Sequence, residues 1–243
     1  MTRRADVILV EAGLFESRSK AAAAIQAGLV SADGRPVPKA STQVSPAAVL
    51  DARPAHPWVS RGGTKLAAGL AAFGIDPAGR VCLDVGASTG GFTQVLLARG
   101  AAHLTAVDVG HGQFHASLRG DPRVTLLEGQ DARSLDETML PRAFDLLTCD
   151  VSFISLKLVL SHVFTLAALR SEVIVLVKPQ FEAGPKNARK GIVRDPAIHE
   201  AVCRDVAALV ERLGWQVLGI EPSPIAGGDG NREFLLGARR GHA

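Results

Sequence analysis

The sequence predicts an α/β fold, in which a small N-terminal α+β domain precedes a Rossmann-like, mostly parallel sheet. Two observations lead to this prediction. From about residue 80 onward, apolar runs of strand length alternate with helical patterns, which is typical of βαβ units. The first of these strands ends in the glycine-rich turn Gly86-Ala87-Ser88-Thr89-Gly90-Gly91, where backbone N–H groups can approach a ligand at the start of a helix.

Short helices and a hairpin are expected before that sheet. Asp6 can cap a short helix that ends at Gly13, and a second helix is predicted over residues 17–27. The segment Ala32-Asp33-Gly34-Arg35 is a hairpin signal, and a proline-containing connector follows near residues 52–60. We therefore expect a small domain over residues 1–55, a linker over residues 56–61 and a large domain over residues 62–243.

The large domain is expected to alternate strands with helices and to close with a hairpin. Its parallel strands are predicted at 80–85, 103–108, 124–128, 144–150 and 172–178, and its helices include 89–99, 154–169 and 197–213. Two final strands, Trp215–Glu221 and Glu233–Gly237, are joined by a long loop without a helix. This ending fits an S-adenosylmethionine-dependent methyltransferase better than a dinucleotide-binding domain.

Composition restricts the class of protein. A chain of 243 residues with 47% hydrophobic and 21% charged residues is expected to be globular, and its net charge of +3 permits a nucleic-acid partner. Cys82, Cys149 and Cys203 lie far apart, which indicates a reducing compartment, and we expect a cytoplasmic protein. The apolar run Val173–Val177 is too short to span a membrane, and no metal-ligand spacing is found, so neither a membrane nor a metal partner is predicted.

Acidic residues near the ends of three strands favour S-adenosylmethionine as the cofactor. Asp108 ends the second strand, where a carboxylate can bind ribose hydroxyls. Asp131 follows the third strand and could accept from an adenine amino group, although it could also be a helix N-cap. The spacing G-x-x-x-G-G departs from the pyrophosphate-binding fingerprint G-x-G-x-x-G, and a purely structural turn is the alternative. The predicted cofactor contacts are Asp84, Gly86, Ala87, Ser88, Gly90, Gly91, Phe92, Asp108, Asp131 and Asp150.

Four ionisable residues are expected to converge near the cofactor. Asp150 and Lys178 close the fourth and fifth strands, and open sheets bind ligands beyond these carboxyl ends. Lys65 precedes the first strand, and Glu233 begins the last one. A lysine at the end of an apolar strand needs a partner, and Asp150 is the natural one for Lys178. The structural alternatives are a plain ion pair for Asp150 and Lys178, a solvated strand end for Glu233 and a helix-surface position for Lys65.

These residues and the strings around them resemble a known family. Lys65, Asp150, Lys178 and Glu233 resemble the K-D-K-E tetrad of FtsJ/RrmJ-type ribose 2′-O-methyltransferases. The strings SRGGTKL, LDVGASTGGFT, DVSFISL, LVKPQFE and GNREFLL resemble the TlyA family of rRNA methyltransferases, which are also called haemolysins. Residues 1–55 resemble the alpha-L RNA-binding domain of that family. The chain departs from the family where His56 replaces an arginine in the connector.

The resemblance implies S-adenosylmethionine-dependent ribose 2′-O-methylation of cytidine in 23S rRNA, and in some members also in 16S rRNA. Family members with the broader range have a longer C-terminal tail, so the short segment after Glu233 favours the large-subunit RNA alone. By the same resemblance, Lys178 is the base for the ribose hydroxyl and Asp150 orients it. Lys65 stabilises the developing oxyanion, and Glu233 positions the ribose and Lys65.

Basic residues in two regions are the predicted contacts with ribosomal RNA or ribosomal subunits. Arg18 and Lys20 begin the second helix, where they can meet phosphates, and the segment 184–194 is basic and follows Lys178. Phe153, like Phe92 and Phe114, is expected in the core or the cofactor wall. The predicted RNA contacts are Arg3, Arg4, Arg18, Lys20, Arg61, Lys186, Arg189 and Lys190.

Three other functions are alternatives. A membrane-lytic, haemolysin-like protein requires a long apolar or amphipathic segment, which the sequence lacks. A catalytically inactive RNA-binding protein does not require the intact set of four ionisable residues. A dehydrogenase is disfavoured by the spacing of the glycines.

Overall fold

The structure is a computed structural model that describes residues 2–188 and 191–241. It divides into two compact units, Met1–Pro57 and Trp58–Ala243. Residues 58–61, which the sequence suggested as part of a linker, lie in the second unit. There the Val59 N–H donates to Gln94 Oε1 at 2.5 Å.

The first unit packs two helices against short strands. Asp33 and Gly34 have φ values of 51° and 74°, as a type I′ turn requires, so the predicted hairpin is confirmed. The strand order β3-β2-β5 forms one antiparallel sheet, and β1 pairs with β4. The elements are β1 (Arg3–Arg4), α1 (Ala5–Glu11), α2 (Arg18–Gln26), β2 (Val30–Ala32), β3 (Arg35–Pro36), β4 (Gln43–Val44) and β5 (Leu50–Ala52).

The start of α1 differs from the prediction. Arg4, and not Asp6, is the N-cap residue, and Asp6 lies buried in the first turn of the helix. Its carboxylate accepts from Arg4 at 2.9 Å and from Arg18 at 2.8 Å. The hydrogen bond from Arg4, with the help of Arg18, lowers the pKa of Asp6 to about 2 against the opposing effect of burial. Burial beside two cations explains why this acid is not a helix cap.

The second unit is a seven-stranded sheet with helices on both faces. The strand order is β11-β12-β10-β9-β6-β7-β8, and β12 is antiparallel to both of its neighbours, which confirms the predicted α/β fold with a closing hairpin. The elements are α3 (Gly62–Phe73), β6 (Val81–Val85), α4 (Gly91–Ala98), β7 (His103–Asp108), α5 (Ala116–Arg119), β8 (Val124–Glu128), β9 (Phe144–Cys149), α6 (Leu156–Val163), β10 (Ala167–Val177), α7 (Pro179–Glu182), α8 (Pro196–Arg212), β11 (Gln216–Pro222) and β12 (Phe234–Arg240).

Two elements depart from the sequence expectation. Helix α6 ends at Val163, and β10 begins at Ala167, so the last part of the predicted helix 154–169 is a short 3-10 turn followed by a strand. Pairing of Ala167 with Phe144 in β9 overrides the helical pattern there. Helix α3, which carries Lys65, was not predicted as an element.

The core explains how the sheet is fixed between its helices. Along β10, Val173, Val175 and Val177 pack on the side of α6 and α8, whereas Ile174 and Leu176 pack on the side of α3 and α4. This alternation follows the period of two of a strand. Full burial of such a side chain contributes about 1.5–3 kcal/mol, so the strand that delivers Lys178 is firmly held.

Candidate active site

Two adjoining cavities open at the carboxyl ends of the strands. The larger cavity has a volume of about 440 Å³ and the smaller one about 220 Å³. Gly86, Ser88 and Asp150 line both of them. The larger cavity also includes Asp108 and Asp131, and the smaller one includes Lys65. The two cavities therefore bring residues of the predicted cofactor set together with Lys65 and Asp150 of the catalytic set.

The glycine-rich turn sits tightly against the end of β9. Gly86 has a φ of +83°, and a Cβ atom built there would lie 2.5 Å from the Asp150 carbonyl oxygen. The Asp150 N–H in turn donates to Val85 O at 2.9 Å. Only glycine tolerates both this φ and this approach, so the turn and Asp150 are held at a fixed separation.

Asp108 is oriented by the backbone around it. Its Oδ2 accepts from the Ser88 N–H and its Oδ1 from the Gly110 N–H, both at 2.7 Å. Each oxygen retains a further lone pair, so the carboxylate can still bind a hydroxyl group in the larger cavity. This geometry fits the ribose contact that the sequence predicted for Asp108.

Asp84 is placed differently from the expectation of a direct cofactor contact. It is fully buried and lines neither of the two cavities. Its carboxylate accepts from Thr93 Oγ1 at 2.7 Å and from Thr148 Oγ1 at 2.8 Å. Burial, opposed by these hydrogen bonds, raises the pKa of Asp84 to about 6. Asp84 therefore supports the glycine-rich turn from the protein interior, because its two carboxylate oxygens accept from the hydroxyls of Thr93 and Thr148.

Asp131 has the N-cap role that the sequence allowed, and it also lies where the predicted adenine contact requires a carboxylate. It caps a short 3-10 helix by accepting from the Arg133 N–H, and it also lines the larger cavity. The Arg133 guanidinium lies 2.6 Å from the carboxylate and lowers the pKa of Asp131. The group is thus a carboxylate that can accept a further hydrogen bond in the cavity.

The remaining predicted cofactor contacts lie along the turn and α4. Ala87, Gly91 and Phe92 line the smaller cavity. Gly90 has a φ of +90° and is the N-cap of α4, with Leu118 packed against it, so its role is in the backbone of the turn.

The four predicted catalytic residues form two buried ion pairs. Lys65 Nζ lies 2.5 Å from Glu233 Oε2, and their side chains are only 7% and 3% exposed. Lys178 Nζ lies 2.5 Å from Asp150 Oδ1, with side chains 9% and 20% exposed. A helix-surface position for Lys65 and a solvated strand end for Glu233 are therefore both wrong. Each lysine is charge-balanced by its own carboxylate, as burial requires.

Two neighbours of the Lys178 pair were not among the predicted site residues. Lys178 Nζ also donates to Ser152 Oγ at 2.8 Å. Phe153 is 91% exposed at φ +63°, and its ring lies 5.1 Å from that of Phe181. Phe153 borders the larger cavity and not the core, so of the two predicted positions, core or cofactor wall, only the wall remains for it, whereas Phe92 and Phe114 are buried. The string DVSFISL was the available signal for Ser152.

Of the six predicted RNA contacts that the structure describes, five are exposed and four have an acidic partner. Arg61 lies at the N-terminus of α3, lines the smaller cavity and is exposed, and Lys186 is exposed. In the first unit, Arg3 pairs with Glu11, Lys20 with Glu16, and both Arg4 and Arg18 with Asp6. Arg189 and Lys190 lie outside the described residues.

Two other kinds of site are absent from residues 2–188 and 191–241. No group of three or more histidine, cysteine or acidic side chains is arranged to hold a metal ion. No helix in that part of the chain combines the length and the apolar character needed to cross a membrane.

Comparison with family models divides the chain in two. Residues 58–240 match the FtsJ-like methyltransferase model, and residues 3–50 match the S4 domain model. The larger match therefore contains both cavities and both buried ion pairs.

Individual relatives match between 73% and 98% of the chain. The chain is 47% identical, over 98% of its length and 91% of the relative's, to the 16S/23S rRNA (cytidine-2'-O)-methyltransferase TlyA of Mycobacterium tuberculosis. It is 40% identical, over 73% of its length and 69% of the relative's, to the 23S rRNA (cytidine-2'-O)-methyltransferase TlyA of Campylobacter jejuni. A solved structure from Streptococcus thermophilus, described as a hemolysin, superposes with a TM-score of 0.78 at 39% identity, over 98% of this chain and 88% of the other.

Proposed function

We infer that this chain, which belongs to the TlyA family of FtsJ-like methyltransferases, transfers a methyl group from S-adenosylmethionine to the 2′-hydroxyl of a cytidine in ribosomal RNA. This inference rests on one observation: the buried ion pairs Lys65–Glu233 and Lys178–Asp150 lie beside two cavities. Asp150 lines both cavities. One cavity suits a cofactor, and the other suits the reacting part of a second substrate.

The larger cavity fits S-adenosylmethionine. Its volume of about 440 Å³ is that of a small-molecule site, and it combines apolar walls with the carboxylates of Asp108 and Asp131. Asp108 would hold ribose hydroxyls, and Asp131 would accept from the adenine amino group. When bound, the cofactor supplies a methyl group activated by a sulfonium centre.

The ion pairs support a division of roles among the four residues. A ribose hydroxyl is a weak nucleophile, and Lys178 in its neutral form is the base that takes the proton on Nζ. Asp150 and Ser152 fix two directions around Nζ, so the remaining direction is available to the hydroxyl. Lys65, held by Glu233 and lining the smaller cavity, stabilises the negative charge that develops on the ribose oxygen.

The relatives and the N-terminal domain support the RNA substrate. The names of the Mycobacterium tuberculosis and Campylobacter jejuni relatives both include 23S rRNA, so we take 23S rRNA as the substrate and treat 16S rRNA as a separate arm of the test. The S4 domain would hold the RNA through Arg3, Arg4, Arg18 and Lys20. A ribosomal substrate supports the predicted cytoplasmic location. Lys65 supplies positive charge at the reacting oxygen, which is consistent with a metal-independent reaction.

The test is methyl transfer from tritiated S-adenosylmethionine to isolated 50S and 30S subunits, followed by mapping of 2′-O-methyl nucleotides. The change is Lys178→Met, which removes the amine and keeps an unbranched side chain one atom shorter. Loss of a general base lowers the rate by about 10²- to 10⁴-fold, whereas cofactor affinity measured by calorimetry should change little. The matched control is Lys157→Met, a lysine with a 47% exposed side chain that lies 3.9 Å from Asp205.

Three outcomes would contradict the proposal. Equal activity of Lys178→Met and the unmodified chain would remove the assigned base. A methyl group on a base nitrogen or carbon would remove the ribose chemistry. Leakage of liposomes caused by the pure protein, without any methyl transfer, would favour the membrane-lytic alternative.

A further inference from the structure

Glu182 is a carboxylate in the active-site region that none of the roles above uses. It ends α7, the short helix that directly follows Lys178. Its Oε2 accepts from Ser155 Oγ at 2.6 Å, and its Oε1 accepts from the Leu156 N–H at 2.7 Å. Both oxygens of Glu182 therefore contact a segment 26 to 27 residues earlier in the chain, at the start of α6.

The contacts of Glu182 are the last of several contacts between two segments of the chain. We call residues 150–156 the aspartate loop and residues 178–182 the lysine segment. Lys178 contacts Asp150 and Ser152, and the ring of Phe181 lies 5.1 Å from that of Phe153. Glu182 forms the last link of the series, at the point where the aspartate loop enters α6. Contacts therefore join the two segments from the Lys178–Asp150 pair to the start of α6.

The aspartate loop needs such a link because its backbone is strained. Phe153 has a φ of +63°, a conformation that costs a non-glycine residue on the order of 1–3 kcal/mol and persists only where surrounding contacts enforce it. Its side chain is 91% exposed, so the core does not hold it. On the far side of Phe153 the loop is anchored through Ser155 and Leu156, the two partners of Glu182.

The charge of Glu182 suits its position. The Leu156 N–H is one of the helix N-terminal donors that have no partner inside α6, and a carboxylate is favoured at this positive end. Ser155 Oγ accepts from the Lys157 N–H at 3.2 Å while it donates to Glu182, so the serine side chain is fixed from both directions. An amide in place of the carboxylate could satisfy only one of the two donors.

We propose that Glu182 is a positioning residue: by tying the aspartate loop to the lysine segment, it holds Asp150 and Ser152 at the distance from Lys178 that proton transfer requires. The proposal rests on the proposed function of Lys178 as the base. A displacement of about 1 Å in such a geometry can cost as much as 10²-fold in rate.

The test is Glu182→Gln, assayed for methyl transfer to 50S subunits beside the unmodified chain. We expect kcat to fall about 10- to 100-fold while KM for the RNA and the cofactor changes less than threefold. Amide hydrogen exchange, which does not depend on activity, should accelerate at the start of α6 because Leu156 loses its acceptor. Ser155→Ala should lower kcat in the unmodified chain and add little to Glu182→Gln, since both remove the same link.

The matched control is Asp195→Asn. Asp195 also places a carboxylate at a helix start, where it accepts from the Ala197 N–H at 2.9 Å, but it joins no part of the aspartate loop to the lysine segment. Its variant should lose similar thermal stability and keep kcat. An unchanged kcat in Glu182→Gln, or an equal loss in Asp195→Asn, would overturn the proposal. Absence of methyl transfer by the unmodified chain would instead refute the proposed function.

Discussion

The buried carboxyl of Asp84 allows a sharp test of the electrostatics beneath the glycine-rich turn. Its partners, the hydroxyls of Thr93 and Thr148, are neutral, and its environment is fully enclosed. The change is Asp84→Asn, which keeps the shape of the side chain and removes its charge. We expect a protein that is more stable than the unmodified chain at neutral pH, contrary to the usual effect of a core substitution.

The magnitude follows from the raised pKa. Burial raises the pKa of Asp84 from 3.8 to about 6, so the folded protein holds the proton more tightly than the unfolded chain does. The stability conferred by Asp84 is therefore greatest below pH 3.8 and decreases as the pH rises from 3.8 to about 6. A rise of the pKa from 3.8 to about 6 corresponds to roughly 3 kcal/mol, which is the expected gain of Asp84→Asn at pH 7.

The assay is urea unfolding of both proteins at several pH values from 4 to 8. The quantity compared is the difference in unfolding free energy between them, because other titrating groups cancel in that difference. It should be near zero at pH 4, grow through pH 6 and then remain constant. Asp136→Asn is the control, because hydrogen bonds from Thr138 lower the pKa of Asp136. Its effect on the unfolding free energy at neutral pH should have the opposite sign to that of Asp84→Asn. A less stable Asp84→Asn at pH 7, or a difference independent of pH, would refute the reasoning.

Three further changes test other parts of the molecule. Gly86→Ala should lower the unfolding free energy by about 3 kcal/mol in urea titrations, because a Cβ would meet the Asp150 carbonyl at a φ of +83°; a change below 1 kcal/mol would contradict this. Lys65→Met should cost about 3–5 kcal/mol by leaving Glu233 buried and unpaired, and adding Glu233→Leu should restore part of that loss. Asp6→Asn should accelerate hydrogen exchange in α1 at pH 7; since the pKa of Asp6 is lowered to about 2, the difference should disappear as the pH falls from 3.8 toward 2.

Local patterns were sufficient to predict most of the sheet. The bounds of β7 and β8 agree with the predictions, because each strand is a short, largely apolar run bounded by turn residues. The start of β10 could not be predicted, since residues 167–171 are strand only through pairing with neighbours that are distant in sequence. Helix α3 buries Leu66 and Leu70, but it begins with two glycines. Because glycine has a low helix propensity, the sequence does not indicate where this helix starts.

In the candidate site, too, some positions follow from local patterns and others depend on contacts between residues far apart in sequence. Asp150 and Lys178 could be paired from sequence because parallel strands end at a common edge. The burial of Lys65 against Glu233 spans 168 residues and depends on how α3 packs beside β12, which no local pattern encodes. Asp84 was misplaced for a related reason: a strand-end acid looks the same in sequence whether it faces the cavity or the threonines below the turn.

The pairing of Lys65 with Glu233 and of Lys178 with Asp150 affects both the stability of the fold and the proposed reaction. Two buried lysines without partners would carry a large desolvation penalty, and two buried carboxylates would carry a similar one. Combined as pairs, the four groups have no net charge, so the interior tolerates them beside the cofactor cavity. When Lys178 takes part as a neutral base, Asp150 is left as an unbalanced charge, because Lys65 is already paired with Glu233, and the balance returns only when Lys178 takes up the proton of the hydroxyl. Removal of either lysine alone should therefore damage stability as well as rate, whereas removal of a whole pair should damage mainly the rate.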